Sequence, residues 1–191
     1  MYFNNIVTEN FKNISQICPI KKIQFYNSEI ILIVQTTDIL EILLFFKNNF
    51  LCQFKILTSI SGVDYPKSLY RFVVVYDLLS IRYNTRLKLK VFTYELGSLS
   101  SVTSVFSTAG WFESEIWDMF GVFFKNHTNL KRILTDYGFN GYPLRKDFPL
   151  SGYVESRYDE QTKRVVCEPL EHAQEFRSFD FTSGWSAQSI K

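Results

Sequence analysis

Three acidic side chains and a histidine near the middle of the chain have the types and spacing that could support chemistry. Glu113, Glu115 and Asp118 share one short segment, and His127 follows them. On a helix, Glu115 and Asp118 would be neighbours at positions i and i+3. Paired carboxylates beside an imidazole can act as general acid and base or bind a metal ion. The spacing matches no metal-binding motif, and no glycine-rich phosphate loop accompanies it.

The same acids also suit a purely structural network of ion pairs. No lysine or arginine lies between Lys90 and Lys125, so the balancing cations must come from elsewhere in the fold or from another chain. The cations that follow in the sequence are Lys131, Arg132, Arg145 and Lys146. Buried pairs of arginine and carboxylate fix orientation even where they add little net stability. This interpretation assigns the acids to geometry rather than to catalysis.

The segment over 136–149 is predicted to be an extended arm. Pro143 and Pro149 push the residues before them away from helical conformation. The glycines of the segment do not form the GxGxxG pattern of dinucleotide binding. Arg145 could grip a carboxylate through two hydrogen bonds, and Phe148 could fill an apolar pocket of a partner. The arm is therefore predicted to be a docking element.

Beyond residue 152 the regular periodicity fades. Two short strands are predicted at 153–158 and 164–168, around a polar turn at 159–163. The tail that follows is rich in aromatic residues, namely Phe176, Phe179, Phe181 and Trp185. Exposed aromatic side chains at this density are unfavourable unless something covers them. We therefore expect the tail to lie on a partner.

The elements that must position these residues follow from hydrophobic periodicity. In order, they are a helix at 3–17, strands at 20–26 and 29–35 with a turn at Asn27 and Ser28, a helix that begins at Asp38, strands at 54–60, 69–79 and 86–94, and a helix at 102–120 that ends at Gly121. This α-β-β-α-β-β-β-α order predicts an α+β fold, with helices on one face of a mixed or antiparallel sheet. The predicted domains are 1–121 for this fold and 122–191 for an extended arm and tail.

The strand at 86–94 shows the clearest alternation. Its inward positions are Leu87, Leu89 and Val91, and its outward positions are Arg86, Lys88 and Lys90. This basic face raises the hypothesis of an RNA-binding sheet with aromatic stacking. A net charge of +2 and the lack of an RNA-binding signature favour a solvated or partner-facing strand instead.

Cysteine usage and the apolar runs indicate which classes of protein to expect. Cys18, Cys52 and Cys167 lie far apart and form no CxxC pair, so we expect no disulfide framework, zinc site or iron–sulfur cluster. No apolar run approaches the ~20 residues of a membrane-spanning helix. The N-terminal residues lack the features of a secretory or mitochondrial targeting peptide. The richness in Phe, Ile, Asn, Lys and Tyr predicts an AT-biased, organellar gene.

Taken together, the C-terminal motifs resemble a known family, the thirty-kilodalton subunit of respiratory complex I, the proton-pumping NADH:ubiquinone oxidoreductase. The matching segments are 113–115 (ESE), 118–121 (DMFG), His127, 130–134 (LKRIL), 136–137 (DY), 143–149 (PLRKDFP) and 179–181 (FDF). The family usually has arginine where this chain has Ser114, and proline and aspartate where it has Thr128 and Asn129.

The resemblance implies a division of labour. The enzyme passes electrons from NADH through flavin mononucleotide (FMN) and iron–sulfur clusters to ubiquinone and couples this to proton pumping. The resemblance places this subunit in the peripheral arm, beside the large hydrogenase-like quinone-site subunit and the iron–sulfur subunits, and without a cofactor of its own. It implies a location on the matrix side of the mitochondrial inner membrane, with no membrane span and no nucleic-acid partner. The expected role is a scaffold for electron transfer.

The resemblance also assigns roles to residues, none of them catalytic, cofactor-binding or metal-binding. The interface and ion-pair network would comprise Glu113, Glu115, Asp118, His127, Arg132, Asp136, Arg145 and Asp147. The apolar anchors would be Phe148, Phe179, Phe181 and Trp185. Three alternatives stay open: the equivalent scaffold of a plastid or cyanobacterial NAD(P)H–plastoquinone oxidoreductase or membrane-bound hydrogenase, an independent acid–base or metal enzyme using Glu115, Asp118 and His127, and a sheet-based RNA binder.

Overall fold

The computed structural model describes residues 17–26, 29–172 and 175–181. The helix predicted over 3–17, apart from its last residue, lies outside them, as do the turn at Asn27 and Ser28 and the anchor Trp185. The chain divides into two compact units, Met1–Phe148 and Pro149–Lys191. In the described part of the chain, none of the helices has the length and apolar character needed to cross a bilayer.

In its described residues, the first unit is built on a five-stranded sheet with two helices. Its elements are β1 (Ile20–Tyr26), β2 (Glu29–Val34), α1 (Ile39–Asn48), β3 (Ile56–Asp64), β4 (Phe72–Ser80), β5 (Thr85–Thr93), β6 (Ser98–Ser100), α2 (Ala109–Phe120) and β7 (Phe123–Lys125). The strand order is β1-β2-β5-β4-β3. The β2–β5 pair is parallel and the other neighbours are antiparallel. The predicted mixed sheet of an α+β fold is confirmed.

One face of the sheet carries the hydrophobic core, as the alternation in β5 predicts. Leu87, Leu89 and Val91 are fully buried. They lie in register with buried side chains of β2, such as Leu32 opposite Leu89. The buried residues of α1 and α2 belong to the same core cluster, so both helices cover this face. Each fully buried aliphatic side chain of this kind contributes about 1.5–3 kcal/mol to folding.

The second helix begins later than its predicted start at residue 102. Strands β6 and β7 form a short parallel pair that was not predicted, and the Ser101 N–H donates to the Lys125 carbonyl at 2.9 Å. This pairing holds the chain extended up to residue 101, and a buried turn then follows in which the Phe106 N–H donates to the Val102 carbonyl at 2.9 Å. The helix therefore starts at Ala109, and it ends as predicted at Gly121, in the left-handed conformation.

Strand β3 also differs from its prediction, because it runs through Gly62 instead of ending before it. A Cβ atom at Gly62 would lie 2.6 Å from Cδ2 of Phe120. The Phe120 ring of α2 thus packs directly on this glycine, and the lack of a side chain there serves packing rather than a turn. The predicted arm began at residue 122, whereas residues 122–148 group with the sheet, because β7 pairs with β6 and the Lys146 N–H donates to Asp64.

The second unit contains the predicted hairpin, with β8 at Val154–Asp159 and β9 at Arg164–Pro169. Asp159 closes the turn by accepting from the Thr162 hydroxyl at 2.8 Å. Arg157 donates two hydrogen bonds to Glu168 across the strands, both at 2.8 Å. Among residues 149–172 and 175–181, no side chain is buried. A two-stranded hairpin without a core is marginally stable by itself.

Candidate functional site

The side chain of Asp118, in the last turn of α2, is enclosed by hydrogen-bond donors. Its Oδ2 accepts from three consecutive backbone N–H groups, those of Ile133 at 3.0 Å, Leu134 at 2.7 Å and Thr135 at 3.0 Å. Its Oδ1 accepts from the Thr135 hydroxyl at 2.7 Å and from Nη1 of Arg132 at 3.1 Å. The ion pair between Asp118 and Arg132 that the sequence suggested is therefore present within this chain.

This environment keeps Asp118 ionised. Burial alone would favour the neutral acid, but the hydrogen bonds from Thr135 and the neighbouring N–H groups outweigh it and lower the pKa of Asp118 to about 2. The carboxylate has no solvent exposure. Through these hydrogen bonds, Asp118 holds the loop at 132–135 against α2.

Glu113, five residues earlier on α2, is also buried, but its pKa is shifted in the opposite direction from that of Asp118. Its carboxyl accepts from the Ser101 hydroxyl at 2.6 Å and from the Val102 N–H at 2.7 Å. Nε2 of His127 lies 3.7 Å from Oε2. Burial raises the pKa of Glu113 above its ordinary value, because these two hydrogen bonds and His127 do not fully compensate the lost hydration. Glu113 thus binds the buried turn before α2.

His127 is almost completely buried and bonded on both ring nitrogens. Nδ1 accepts from the Asn129 N–H at 3.0 Å, and Nε2 lies 3.1 Å from the Gly110 carbonyl. The neutral ring with its proton on Nε2 satisfies both contacts. The imidazole therefore ties the loop after β7 to the start of α2.

These contacts bear on the hypothesis of an acid–base or metal site. Asp118 and His127 bind different groups of this chain. Glu115 is exposed and makes no side-chain hydrogen bond or ion pair in the described residues. Nowhere in 17–26, 29–172 or 175–181 do three or more metal-ligating side chains converge. Among the described residues, the structure does not bring Glu115, Asp118 and His127 together.

A second ion network at one end of the sheet was not predicted as a site. Arg71 donates from Nε and Nη2 to the two carboxylate oxygens of Asp64, at 2.9 and 3.1 Å. Its guanidinium also contacts Glu95 at 3.1 Å and Asp147 at 3.0 Å. The hydrogen bonds to Asp64 raise the pKa of Arg71 further above its ordinary value. One feature of the sequence could have indicated this network. Asp64 and Arg71 lie on either side of the short turn that joins the antiparallel strands β3 and β4.

The arm joins this network through Arg145 and the residue after it. Nε of Arg145 donates to the Phe120 carbonyl at 2.7 Å, and Nη1 donates to Glu95 at 3.0 Å. The Lys146 N–H donates to Asp64 at 2.8 Å. Burial opposes the ionisation of Asp64, but the bonds from Arg71 and Lys146 hold its pKa below the ordinary value. Arg145, expected at a partner interface, thus fixes the arm to the sheet of its own chain.

Aromatic packing completes this part of the arm. The Tyr142 ring lies between two guanidinium groups, 4.4 Å from that of Arg145 and 5.0 Å from that of Arg132. Gly121 has a φ of 77°, and a Cβ there would lie 2.6 Å from Cζ of Tyr142. The predicted anchor Phe148 packs its ring on Phe139 at 5.9 Å between centroids. These contacts hold Tyr142 against the end of α2 and pack the arm on itself.

The other predicted residues differ in their exposure. Oδ1 of Asp136 accepts from the neighbouring Tyr137 N–H at 2.8 Å and is exposed. Asp147 is exposed apart from its contact with Arg71. In the second unit, Phe179 and Phe181 stack on each other at 6.2 Å with 68% and 92% of their surface exposed. Whether any of these residues contacts a partner stays a prediction.

Comparison with known proteins decides the family. A family model described as the respiratory-chain NADH dehydrogenase, 30 Kd subunit, matches residues 32–154. The chain belongs to this family. The resemblance inferred from the motifs is thereby confirmed, and the chain has the sequence of a subunit of a multi-subunit respiratory-chain complex.

Relatives of the 30 kDa subunit family match over most of their length. NADH-ubiquinone oxidoreductase subunit 9 of Reclinomonas americana is 54% identical over 171 residues, covering 90% of this chain and 84% of the relative. An NADH-quinone oxidoreductase subunit of Paramagnetospirillum magneticum is 55% identical over 162 residues, covering 85% and 81%. NADH dehydrogenase (ubiquinone) iron-sulfur protein 3 of Solanum tuberosum is 56% identical over 154 residues, covering 81% of each.

A solved structure shares the fold. A chain of the membrane-bound sulfane sulfur reductase, an archaeal respiratory membrane complex, superposes with a TM-score of 0.67 at 24% identity. The match covers 83% of this chain and 98% of that one. At this identity the likeness concerns the fold alone. The α+β architecture of the 30 kDa family thus occurs in another respiratory assembly.

Proposed function

We propose that this chain is a non-catalytic scaffold subunit in the peripheral arm of the proton-pumping NADH:ubiquinone oxidoreductase. In this role it holds the large quinone-site subunit and the neighbouring iron–sulfur subunits in position for electron transfer from NADH to ubiquinone. Family membership makes the chain part of such an enzyme complex. We infer the scaffold role and the choice of neighbours from which side chains each unit buries and which it exposes.

The observation that carries the proposal is the exposure of the second unit. Val154, Tyr158, Val165, Phe179 and Phe181 each expose more than half of their surface. An isolated hairpin followed by exposed phenylalanines has no core of its own to offset the loss of conformational freedom. A surface of another subunit would supply the missing burial. We therefore assign residues 149–181 to partner binding.

The first unit supports a non-catalytic role. Its two buried acids on α2 are bonded to groups of the same chain, and the acids at the sheet end bind Arg71 and Arg145. These contacts fix the loops and the arm to the sheet. Such a unit provides a rigid base rather than an open pocket with reactive groups.

The burial and number of the cysteines support the proposal that this chain binds no iron–sulfur cluster itself. Cys18 and Cys52 are buried, Cys167 is exposed, and all are free. Burial raises the pKa of Cys52 to about 11 and that of Cys18 above its ordinary value, which disfavours the thiolate that a metal needs. A four-cysteine cluster would also need one more cysteine than the sequence holds. FMN, iron–sulfur clusters and ubiquinone would then belong to other subunits of the assembled complex.

The proposed location follows from the proposed neighbours. A scaffold of the peripheral arm in a mitochondrial-type complex would sit at the inner membrane on the matrix side, without crossing it. Relatives from Reclinomonas americana and Solanum tuberosum have the names of NADH–ubiquinone enzyme subunits. Cell fractionation that places the chain with the peripheral arm after mild dissociation of the complex would support this location.

The proposal can be tested by weakening the tail surface. The double variant Phe179→Ala and Phe181→Ala removes two exposed rings without touching the first unit. Phe25→Ala, at an exposed position of β1, is the matched control. We expect the double variant to lower the amount of quinone-site subunit that co-purifies with the chain, and the control to leave it unchanged. Unchanged co-purification in both, or oxidation of NADH by the isolated chain, would contradict the proposed function.

A further inference from the structure

Two tight turns at one end of the sheet expose apolar side chains. One follows α1 and carries Phe50 and Leu51, and the other joins β4 to β5 and carries Ile81. Their exposed fractions are 65%, 61% and 70%, in the order of the sequence. None of these side chains takes part in the core or in the ion networks described above.

The two turns form one surface, which we call the basic loop patch and define by residues 50, 51, 55, 81–83 and 86. The Tyr83 hydroxyl donates to the Phe50 carbonyl at 2.9 Å. The Arg82 guanidinium lies 4.8 Å from the centroid of the Phe50 ring and 5.7 Å from that of Tyr83. Arg82 belongs to the turn between β4 and β5, and it thus packs against Phe50 in the turn that follows α1.

The backbone of the patch is held in place before any partner arrives. Asn49 organises the first turn, since its side chain accepts from the Leu51 N–H at 2.8 Å and its carbonyl accepts from the Gln53 N–H at 3.0 Å. The residues immediately behind the turn, Cys52 and Phe54, are buried in the core. A rigid, ready-made surface loses little conformational freedom on binding.

All the charged residues of the basic loop patch are positively charged. Lys55, Arg82 and Arg86 lie in the segments 49–55 and 80–86, which contain no acidic residue. Lys55 precedes Ile56, which pairs with Leu79, and Arg86 pairs with the same Leu79, so Lys55 and Arg86 lie at the same end of the sheet as the turn that carries Arg82. The described residues provide no ion pair for any of the three. By contrast, Arg71, Arg132, Arg145 and Arg157 each contact a carboxylate of this chain.

We propose that the basic loop patch binds a segment of another protein subunit, and that this segment presents carboxylates around an aliphatic or aromatic side chain. Phenylalanine, tyrosine and arginine are enriched at protein interfaces, and tyrosine and arginine are frequent among the residues that contribute most to binding. Arg82, held beside the rings of Phe50 and Tyr83, can donate two parallel hydrogen bonds to a carboxylate of the partner. The patch lies in the first unit, so this interface is additional to the one proposed for residues 149–181.

Zero-length cross-linking in the assembled complex tests the proposal directly. A carbodiimide joins a lysine amine to a carboxylate that is in contact with it, and Lys55 is the only lysine of the patch. We expect mass spectrometry to find Lys55 joined to an aspartate or glutamate of another subunit. Lys55→Arg is the matched control, because it keeps the charge and removes the reactive amine. Absence of a cross-link, together with equal hydroxyl-radical oxidation of Phe50 in the free chain and in the complex, would overturn the proposal.

Charge reversal separates this interface from the one in the second unit. Arg82→Glu should lower, by about tenfold, the co-purification of the partner that Lys55 cross-links to, and it should leave the quinone-site subunit bound. Lys21→Glu, at an exposed position of β1, should change neither. Equal retention of the Lys55-linked partner in Arg82→Glu would overturn the proposal. So would protection of Phe50 that disappears on removal of lipid or on nuclease treatment, since the occupant would then be a membrane or an RNA.

Discussion

The two units of this protein differ in how far they bury their own charged and aromatic side chains. In Met1–Phe148, acids and arginines meet inside the chain, and Asp118 and Asp64 are each saturated by donors from distant segments. In Pro149–Lys191, none of the described side chains is buried, and the rings of Phe179 and Phe181 pack on each other while most of their surface stays exposed. A dense motif of charged and aromatic residues therefore indicates a partner only where the chain itself leaves that motif unsatisfied.

This contrast indicates that the family motifs act mainly by making contacts within the chain. The segments ESE, DMFG and PLRKDFP supply groups that fasten loops and arm to the sheet. Under the proposed function, partner binding is assigned to residues 149–181 and, by our further inference, to the basic loop patch. The predictions below test this division from the largest expected effect to the smallest.

Removal of residues 149–191 should separate the two roles most strongly. We expect the amount of assembled complex to fall at least about tenfold, because the exposed apolar surface no longer reaches a partner. The truncated chain should keep its near-ultraviolet circular dichroism and a cooperative urea transition, because the core lies in the first unit. Blue native electrophoresis measures assembly. Normal assembly of the truncated chain would contradict the assignment of partner binding to the second unit.

Asp118→Asn should destabilise the first unit by about 3 kcal/mol, since an amide cannot accept all the charge-assisted hydrogen bonds that converge on this position. Urea unfolding of the full chain at neutral pH measures the difference. Asp136→Asn is the matched control, because Asp136 is exposed and has one local bond. The control should change stability by less than about 0.5 kcal/mol. Similar losses for both variants would show that the buried network has no special role.

The stability contributed by Asp118 should depend on pH in one direction. Its pKa is lowered to about 2 in the folded chain, so the contribution is fully present above the ordinary carboxyl pKa and is lost as pH falls towards 2. The contribution amounts to about 2 kcal/mol. Urea unfolding at several pH values should show the difference between wild type and Asp118→Asn shrinking between pH 4 and pH 2. A difference that stays constant over this range would contradict the assigned pKa.

Arg145→Ala should cost about 2 kcal/mol of folding stability, because it removes bonds to the Phe120 carbonyl and to Glu95 and uncovers the Tyr142 ring. We expect less assembled complex and an unchanged affinity of that complex for NADH. Lys146→Ala is the control, since Lys146 contributes its backbone N–H to the network. Normal assembly of Arg145→Ala with lost turnover would point to a catalytic role instead.

Glu113→Gln should have the smallest effect, within about 1 kcal/mol at pH 7, because glutamine can still accept from the Val102 N–H. The pKa of Glu113 is raised in the folded chain. Its favourable contribution is therefore present below the ordinary carboxyl pKa and is lost as pH rises through the folded value. Wild type should lose stability relative to Glu113→Gln as pH rises. The opposite trend in urea unfolding would show that His127 keeps the carboxylate charged.

The sequence predicted elements that depend on local pattern and missed those set by distant contacts. Alternation in 86–94 and the turn at 159–163 are local signals, and both elements were predicted correctly. The start of α2 depends on the pairing of β6 with β7, which the sequence does not show. Gly62 was interpreted as a strand end, because the approach of Phe120 from α2 is a tertiary contact.

The candidate site divides in the same way. The pairing of Asp118 with Arg132 could be anticipated from charge balance, since Arg132 is among the first cations that follow α2 in the sequence. The contact of Arg145 with Glu95 could not, because it joins residues fifty positions apart. Glu113 was assigned to an interface with a partner, whereas it is buried against Ser101 and Val102 of its own chain. Charge patterns predict that pairs exist and leave open which segment supplies each partner.

Hydroxyl-radical footprinting of the second unit tests the central claim most directly. The oxidation rates of Tyr158, Phe179 and Phe181 should be compared between the isolated full chain and the assembled complex, with the exposed Phe25 as an internal reference. We predict that assembly lowers the three rates at least about tenfold relative to the reference, because another subunit covers these rings. Equal rates in the free and assembled chain would contradict the claim that residues 149–181 bind a partner.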